Sequence, residues 1–580
     1  MRAFAYCFKI FWKNKKTSTA MYLICVMLIV PTSIVEILLT QILVNNIKNI
    51  NTTHRIYTVL YILFFISFIN NLLSSLKAIN ETDLQEFGLY IQERIILEKN
   101  MKLSIELLDS SDIKDLREKA KRFNFTKAFV SFMNLAANIV MVFFFVIILL
   151  IYRSYIIILI SICLIGINLC INRWRSKRTE KVKQSQIYNQ RQIKYLFSIL
   201  TESDYVQEIK LYSSWKYLKN KMEKLYKEYN MKELKETRKT DMIGTLGQLL
   251  IAVVNVISMI LLVHIISINK YQLGVYVMLT QIMSQMYTSI SGILNNYSFV
   301  KVYDIQFGEQ QNFLRLPEYT SNVSDKKQYI NCRDAISVEF VNVSFKYPNT
   351  EKYVLKNLNI YIKEKEKIAI VGENGAGKST FIKLLLGLYY PTEGEIIYRI
   401  GKEKVTYAEV SNYIRVVFQD FLKLLRPIRE NVGLGNIEKI EDDKWIFDVL
   451  NKTHQSLKDN NLNQYIGPEF GGEDLSGGQW QKLSIARAYM REGKLLVFDE
   501  ATSALDPEAE SDFINRFFEL SSDKTSIYIT HRLTVTKMVD KIAVFAEGQI
   551  VEYGTHSELM DGRSFYYNLY KAQAILYAGK

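Results

Sequence analysis

The residues best suited to chemistry form a glycine-rich stretch beyond the middle of the chain. Gly372 is followed after four residues by Gly377-Lys378-Ser379, within VGENGAGKST (371–380). The apolar segment EKIAIVG precedes this loop as a predicted strand, and STFIKLLLGL follows it as a predicted amphipathic helix. Strand, glycine loop and helix N-terminus direct backbone N–H groups and the helix dipole at phosphates. Lys378 would then reach the β- and γ-phosphates, and Ser379 would coordinate Mg²⁺.

Other residues that a phosphate-cleaving site needs occur at the ends of further predicted strands. KLLVFDE ends in two acids: Asp499 suits the Mg²⁺ shell, and Glu500 is placed to polarise the attacking water. The strand TSIYITH delivers His531. Gln419 can sense the metal and the γ-phosphate, and Tyr347, about 30 residues before the loop, could stack on adenine.

A second candidate anion site precedes the predicted helix WQKLSIARAYM. LSGGQ (475–479) places a serine and two glycines at the N-terminus of that helix. One subunit already holds a complete phosphate loop, so this second cradle looks redundant within a single chain.

The set of motifs resembles the ATP-binding cassette (ABC) family. GENGAGKS, LSGGQ, LVFDE, SALD (503–506) and the TH of TSIYITH match its Walker A, signature, Walker B, D-loop and switch-histidine elements. The resemblance implies that the signature loop caps ATP held by a partner subunit, which explains the second cradle. It predicts an ATPase that uses ATP and Mg²⁺, with a second copy of the chain completing both sites of a homodimer.

The predicted site therefore has three groups of residues. The catalytic residues are Glu500, His531 and Gln419. Mg²⁺ is held by Ser379, Gln419 and Asp499, the last through water. The nucleotide is contacted by Tyr347, Gly372, Glu373, Asn374, Gly375, Ala376, Gly377, Lys378, Ser379, Thr380, Ser476, Gly477, Gly478, Gln479 and Asp506.

The residues before this region predict helices that cross a lipid bilayer. A segment such as NIVMVFFFVIILLIY has no polar face, which argues against a soluble helical bundle. The N-terminal tail and the two long loops are basic, and positive residues stay cytoplasmic, so both termini are expected to face the cytosol. Six apolar stretches are near the length of about 20 residues that a crossing needs, and they run roughly over 20–43, 56–78, 127–152, 155–171, 242–267 and 273–298.

These elements predict an α-helical six-crossing transmembrane domain fused to an α/β P-loop domain. The resemblance implies that the first has the type I ABC exporter fold and that the second is an ABC nucleotide-binding domain. The predicted boundaries are a cytoplasmic tail at 1–16, the transmembrane domain at 17–300, a linker at 301–334 and the nucleotide-binding domain at 335–580.

The two long loops are predicted to be helical. LDSSDIKDLREKAKRF (108–123) opens with helix-capping residues and continues with good helix formers. TESDYVQEIKLYSSWKYLKNKM (201–222) also predicts helix. The tips near 109–118 and 203–212 resemble the coupling helices that dock on the cassettes in this family. One of the two should reach the partner's cassette.

Polar side chains within the predicted crossings mark a candidate cargo cavity. Glu36 is the only carboxylate deep in an apolar stretch, and Asn70, Asn255 and Gln281 are amides in the same setting. Such groups are costly in hydrocarbon and usually face the bundle interior or a wet cavity. For the amides, helix-to-helix hydrogen bonding is the commoner role.

Net charge, cysteine spacing and residue usage indicate which partners and which cellular location the protein has. The net charge of +14 lies largely beside the apolar segments, which favours a membrane over nucleic acid. The five cysteines are scattered and form no CxxC, which argues against a disulfide framework or a zinc site. The abundance of Lys, Asn and Ile is typical of an AT-rich bacterial genome, so we expect a bacterial cell membrane.

More narrowly, QEIKLYSSW, YQLGVYVMLTQ and GPEFGGEDLSGGQWQKLSIARAYMR resemble the lantibiotic and bacteriocin peptide exporters. The first hypothesis is therefore ATP-driven export of a peptide by alternating access. The alternatives are a multidrug or lipid exporter or flippase with the same engine, and a membrane sensor of peptides. Residues 1–16 leave no room for an N-terminal peptidase, so leader removal is expected elsewhere, with separate maturation enzymes as candidate partners.

Overall fold

The computed structural model describes most of the chain as two compact units. One unit comprises Met1–Glu98 and Asp115–Arg315, and the other comprises Lys99–Lys114 and Leu316–Lys580. The described residues are 2–47, 53–155, 158–160, 166, 171, 174, 187–269, 271–318, 335–348, 350–453, 461–491, 493–499, 514, 518, 521, 523–530 and 533–578.

The first unit is built from long helices. The longest of them join an apolar run to a charged stretch of good helix formers, and one, Lys16–Ile47, continues through Pro31. Asn124 caps the helix that starts at Phe125 by accepting a hydrogen bond from Lys127 N at 2.9 Å. The helices up to residue 314 are α1 (Arg2–Asn14), α2 (Lys16–Ile47), α3 (Thr53–Met101), α4 (Ile105–Asp109), α5 (Ser111–Ala120), α6 (Phe125–Ile151), α7 (Ile187–Thr201), α8 (Ser203–Leu211), α9 (Trp215–Asn269) and α10 (Leu273–Leu314). Of these, α4 and the start of α5 belong to the second unit.

Four of the described helices are long and apolar enough to cross a membrane: Lys16–Ile47, His54–Met101, Phe125–Ile151 and Trp215–Ile268. They contain the first, second, third and fifth predicted stretches. The fourth stretch lies largely outside the described residues. The sixth lies in α10, which is helical but is not among the four, so the number of crossings stays a prediction.

Two apolar clusters hold the first unit together. In one, α10 packs against α2 and α6 through residues spaced three and four apart, among them Met278, Ile282 and Met286. In the other, α1 buries Cys7 and Phe11 against Phe129 of α6. This spacing follows from the helical period, so a single face of each helix supplies the core.

The predicted loop helices are confirmed. The first loop forms α4 and α5, separated at Ser110. The second forms α8 and α9, with a break at Tyr212–Ser214 where Ser213 has a φ of 50°.

The second unit is an α/β domain, as predicted, and its strands form two sheets. The smaller sheet is antiparallel, in the order β2-β1-β4-β5, and the larger has the order β10-β9-β3-β8-β7-β6. The strands are β1 (Ile336–Phe345), β2 (Leu355–Ile362), β3 (Lys367–Gly372), β4 (Glu393–Ile400), β5 (Glu403–Val405), β6 (Ile414–Val417), β7 (Leu495–Asp499), β8 (Thr525–Ile529), β9 (Lys541–Ala546) and β10 (Gln549–Gly554).

Short helices flank these sheets. They are α11 (Lys378–Leu385), α12 (Tyr407–Val410), α13 (Ile428–Gly433), α14 (Asp443–Lys452), α15 (Gly477–Tyr489), α16 (Leu533–Thr536), α17 (His556–Asp561) and α18 (Phe565–Ala578), with 3₁₀ turns at Ser411–Tyr413, Ile437–Lys439 and Pro468–Phe470. The main core lies between the two sheets and α11, and α13, α14 and α15 share a separate core around Trp480.

Candidate functional site

The parallel part of the larger sheet brings the strand ends of three motifs to one edge. The strands β3, β8, β7 and β6 are adjacent and parallel, so their carboxyl ends coincide, which is where ligands bind in open α/β sheets. Asp499 pairs with Ile529 across β7 and β8, and Ile529 pairs with Ile370 across β8 and β3. Asp499 therefore lies two strands, or about 10 Å, from the strand that leads into the phosphate loop.

Two glycines of the phosphate loop occupy conformations that other residues rarely adopt. Gly377 caps α11 with a φ of 102°, and a Cβ there would lie 2.7 Å from Leu355 Cδ2. Gly372 has a φ of 152°, and a Cβ there would lie 2.2 Å from Phe545 O on β9. The loop can therefore lie close against its neighbours only because these positions lack side chains.

Lys378 is held at the centre of this loop. Its Nζ donates hydrogen bonds to Gly372 O at 2.8 Å and to Glu373 O at 2.9 Å, and the side chain is buried. Ser379, one residue further along, is exposed, as are residues 373–375. The first turn of an α-helix has N–H groups without intrahelical partners, so the surface of this loop offers donors and a fixed ammonium to an anion.

Tyr347 lies beside the phosphate loop. Its hydroxyl is 3.1 Å from Thr380 Oγ1, and its ring makes edge contacts with Phe345 and Tyr389. The structure thus places this half-buried ring against α11, and stacking on adenine stays a prediction.

The oxygen donors predicted for Mg²⁺ have the chemistry that this ion prefers. Asp499 ends β7 and is 8% exposed, Gln419 follows β6 and is exposed, and Ser379 is exposed at the start of α11. Mg²⁺ is usually held by one or two carboxylates together with substrate phosphates and water. Among the described residues no group of three or more His, Cys, Asp or Glu could hold a metal.

The signature loop begins α15 with a reciprocal cap. Ser476 Oγ accepts from Gln479 N at 3.3 Å, and Gln479 Oε1 accepts from Ser476 N at 2.9 Å. Ser476, Gly477 and Gln479 are exposed, whereas Trp480 is buried at once in the separate core. The helix is thus anchored from its fourth residue, and its N-terminus is presented at the surface.

Three predicted site residues, Glu500, His531 and Asp506, lie outside the described residues. Asp499, which precedes Glu500, ends β7, and Thr530, which precedes His531, directly follows β8.

Part of the chain matches a known family, and nearly the whole chain matches a known fold. The family described as ABC transporter matches residues 355–503. A solved structure entitled "Structure of a bacterial Atm1-family ABC exporter with ATP bound" superposes with a TM-score of 0.78, covering 97% of this chain and 99% of that one at 20% identity. Residues 355–503 thus match the ABC transporter family, and the chain has the fold of that ABC exporter structure.

The chain also resembles curated proteins over part of its length. It is 41% identical to the subtilin transport ATP-binding protein SpaT of Bacillus subtilis over 47% of this chain and 44% of that protein. It is 34% identical to the nisin transport ATP-binding protein NisT of Lactococcus lactis over 52% of each. The ATP-dependent lipid A-core flippase of Escherichia coli K12 is 36% identical over 41% of each. The chain thus spans about half the length of the first two relatives it matches.

The second unit of the chain includes a segment, Lys99–Lys114, that the prediction placed within the transmembrane domain. Lys99 is buried, and its Nζ donates to Leu316 O at 2.6 Å and to Glu318 Oε1 at 3.1 Å. At the other end of the segment, the Tyr389 hydroxyl donates to Asp109 Oδ2. The segment therefore packs with the cassette.

Tyr389 and Lys99 are functional candidates that the sequence analysis missed. Tyr389 is 2% exposed, and burial, reinforced by the Asp109 hydrogen bond, raises the pKa of its hydroxyl. The available signal was the aromatic pair in GLYYP after the phosphate-loop helix, but nothing in the sequence links it to a residue 280 positions away.

The predicted cavity residues fall into two groups. Asn70 Nδ2 donates to Glu36 Oε2 at 2.8 Å, so the structure brings these two together. Asn255 is half-buried on α9, and Gln281 on α10 has a buried Oε1 with no hydrogen-bond partner among the described residues.

Proposed function

We propose that this chain is an ABC exporter half-transporter, an Mg²⁺-dependent ATPase that works as a homodimer and exports a peptide across a bacterial cytoplasmic membrane, with both termini in the cytosol. One observation carries the ATPase and the dimer. The signature loop is an exposed helix N-terminus built on a core other than the one that holds the phosphate loop. The signature loop is an exposed, preorganised anion site, but the nucleotide of its own chain is expected at the phosphate loop. We therefore infer that the signature loop contacts a nucleotide bound by a second copy.

The cap geometry supports contact between Ser476 and phosphate. Its Oγ accepts from the Gln479 N–H, so the hydroxyl proton remains available to an acceptor outside the helix. A γ-phosphate oxygen of ATP on the partner's Lys378 is such an acceptor. ATP would then bind the closed dimer more tightly than the open one and shift the population toward closure.

The residues at the sheet edge fit hydrolysis. Ser379, Asp499 and Gln419 would hold Mg²⁺, which neutralises charge on the phosphates when bound. Lys378 orients the β- and γ-phosphates from its position at the centre of the loop. Glu500 is proposed to activate water and His531 to contact the γ-phosphate, because each follows a strand that ends at this edge. Loss of the γ-phosphate removes the contact that held the dimer closed.

Exposed apolar side chains at the tip of the second loop support a partner there. Leu211, Tyr212 and Tyr217 are between 69% and 78% exposed around the break between α8 and α9. This tip lies in a predicted cytosolic loop, where lipid does not cover it, and exposed apolar patches of this kind mark interaction sites. We propose that the occupant is the cassette of the second copy.

The cargo assignment has its own support. The relatives named for subtilin and nisin transport match at 41% and 34% identity, and both have a name that specifies a peptide. A lipid flippase is the second candidate, favoured by the 36% identity to the lipid A-core protein. The polar contact between Glu36 and Asn70 suits a polar cargo better than a lipid tail.

The test uses the full chain reconstituted in lipid vesicles, with ATP hydrolysis and uptake of a labelled peptide measured together. Lys378→Ala should lose nucleotide binding, hydrolysis and uptake, because it removes the ammonium that faces the phosphates. Glu500→Gln should bind ATP, hydrolyse it very slowly and accumulate a closed dimer. Lys356→Ala and Glu364→Gln are matched controls at exposed positions.

Three outcomes would contradict the proposal. Near-normal hydrolysis by Glu500→Gln would remove that residue from its role. Full-speed hydrolysis by a monomer would exclude the shared site. Stimulation of hydrolysis and transport by lipid A-type lipids, but by no peptide, would favour the flippase.

A further inference from the structure

The boundary between α2 and α3 carries three polar contacts at successive levels. At the N-terminal end of α2, Lys15 Nζ forms an ion pair with Asp83 Oδ1 at 2.8 Å, and Ser18 Oγ donates to Asp83 Oδ2 at 2.5 Å. This level is electrically compensated, because the ammonium and the carboxylate neutralise each other.

The second level holds a cation, Lys77, for which no described carboxylate lies within ion-pair distance. Lys77 Nζ donates to Asn134 Oδ1 at 3.0 Å and lies 5.7 Å from the centre of the Tyr22 ring. An amide oxygen and an aromatic face stabilise an ammonium without neutralising it.

The third level holds an anion. Asn70 Nδ2 donates to Glu36 Oε2 at 2.8 Å, and the Thr32 hydroxyl lies within hydrogen-bond distance of Asn70 Oδ1. A carboxylate can only accept, so the amide nitrogen of Asn70 must point at Glu36 and its oxygen at Thr32. The Asn70 side chain is thereby fixed in one orientation, and it positions one carboxylate oxygen.

No described residue places a counter-charge within ion-pair distance of the other carboxylate oxygen. Within the described part of the chain, Glu36 forms no ion pair and makes no hydrogen bond through Oε1, and the side chain is only half-buried. Asn70 and Lys77 are seven residues apart on α3, a rise of about 10 Å, so Lys77 does not reach Glu36. An uncompensated carboxylate deep in a membrane helix is costly and is usually retained for function.

We propose that the Glu36 carboxylate, positioned by Asn70 and Thr32, binds a primary ammonium or guanidinium group of the cargo. This inference rests on the proposed export function and specifies a cationic cargo for it. An ammonium supplies the hydrogen-bond donor that Oε1 lacks and neutralises the charge of the carboxylate. Binding therefore relieves the free-energy cost of an uncompensated carboxylate in a membrane helix. A neutral lipid tail offers neither, and an anionic cargo would be repelled.

The experiment measures binding apart from transport. The full chain is placed in nanodiscs of zwitterionic lipid, and two labelled probes are titrated by fluorescence anisotropy: a synthetic amphipathic peptide rich in lysine, and the same peptide with every lysine acetylated. Acetylation removes the charge and leaves the chain length. Wild type should bind the lysine peptide more tightly than its acetylated form.

Glu36→Gln should weaken binding of the lysine peptide by about ten- to a hundredfold, the range of a charge-assisted hydrogen bond, and leave the acetylated peptide unchanged. Asn70→Leu should give a smaller loss, because the carboxylate remains but is no longer positioned. Glu86→Gln, which neutralises an exposed carboxylate on the same helix α3, is the control and should bind as wild type does. ATP binding at the cassette reports that each variant is folded.

Peptide binding tests the Glu36 site, and ATP-driven uptake tests the proposed export function, so either can fail without the other. Equal binding of both peptides by wild type, or unchanged lysine-peptide binding by Glu36→Gln, overturns the inference, even if ATP-driven uptake persists in vesicles. Glu36-dependent binding without ATP-driven uptake supports the site and removes the export function.

Discussion

The contact between Tyr389 and Asp109 offers the sharpest test of how the first loop joins the cassette. Tyr389→Phe keeps the buried ring, with its edge contacts to Phe345 and Tyr347, and deletes only the hydroxyl that donates to Asp109. The substitution therefore removes one hydrogen bond to a carboxylate and changes little else.

The expected magnitude follows from the two environments. A hydrogen bond to a charged group contributes about 1.5–3 kcal/mol when both partners are buried. Asp109 is exposed, so water replaces part of the hydrogen bonding that its carboxylate loses. We therefore expect the substitution to destabilise the contact by about 1 kcal/mol. That is about a fivefold increase in local opening of the segment. Because Lys99 still anchors the other end, the segment should loosen without leaving the cassette.

The assay is hydrogen–deuterium exchange of the full chain in nanodiscs, read on the peptide that spans Leu103–Ser110. Tyr389→Phe should exchange about fivefold faster there and unchanged in β3 and β7. Peptide-stimulated ATP hydrolysis should fall relative to the basal rate, because the loop no longer transmits its position firmly. Tyr390→Phe is the matched control, since the neighbouring ring is 56% exposed. Wild-type exchange in Tyr389→Phe, or equal acceleration in Tyr390→Phe, would refute the reasoning.

Three further predictions concern the nucleotide site. Ser476→Ala removes the helix cap and should lower stability by about 1 kcal/mol, whereas Ser476→Gly should lower it by only a few tenths of a kcal/mol. If the hydroxyl contacts the partner's ATP, both variants should lose ATP hydrolysis. Normal hydrolysis by Ser476→Gly would show that the serine acts only as a helix cap. Gly377→Ala should abolish binding of a fluorescent ATP analogue and lower the thermal midpoint of unfolding, because its Cβ would clash with Leu355. Gly401→Ala is the control: Gly401 has a φ of 60°, its Cβ would enter open space, and the variant should bind the analogue as wild type does. Chelation of Mg²⁺ should stop phosphate release, and restored Mg²⁺ should recover it; metal-independent hydrolysis would dismiss the roles given to Asp499 and Ser379.

The sequence was sufficient for the cassette because its information there is local. Gly372, Gly377 and Lys378 sit at a spacing that only one loop geometry satisfies, and the flanking strand and helix are specified by short periodic patterns. The reciprocal cap at Ser476 and Gln479 follows from the same kind of pattern. In each case the residues that define the feature lie within a few positions of one another.

The sequence was insufficient where contacts join distant residues. Asp109 and Tyr389 are 280 positions apart, and Lys99 and Leu316 are 217 apart, so no window of sequence contains either pair. Helix-capping residues and good helix formers marked the first loop as helix but could not assign it to the cassette unit, because these local signals do not specify what the helix packs against. Pairing of Glu36 with Asn70 was likewise hidden, since the rotation of each helix about its axis decides which polar residues meet.

The placement of cores in the cassette gives a physical reason why closure should depend on ATP. The phosphate loop is packed on the core around Phe381, and the signature helix is packed on the core around Trp480. Two groups on separate cores can move relative to each other at lower cost than two groups that share one, because interiors are close-packed and resist deformation. A ligand that needs both kinds of surface therefore supplies the free energy that orders them. If the serine of one copy and the lysine of the other grip the same triphosphate, nucleotide binding and dimer closure are a single event, and hydrolysis is what reverses it.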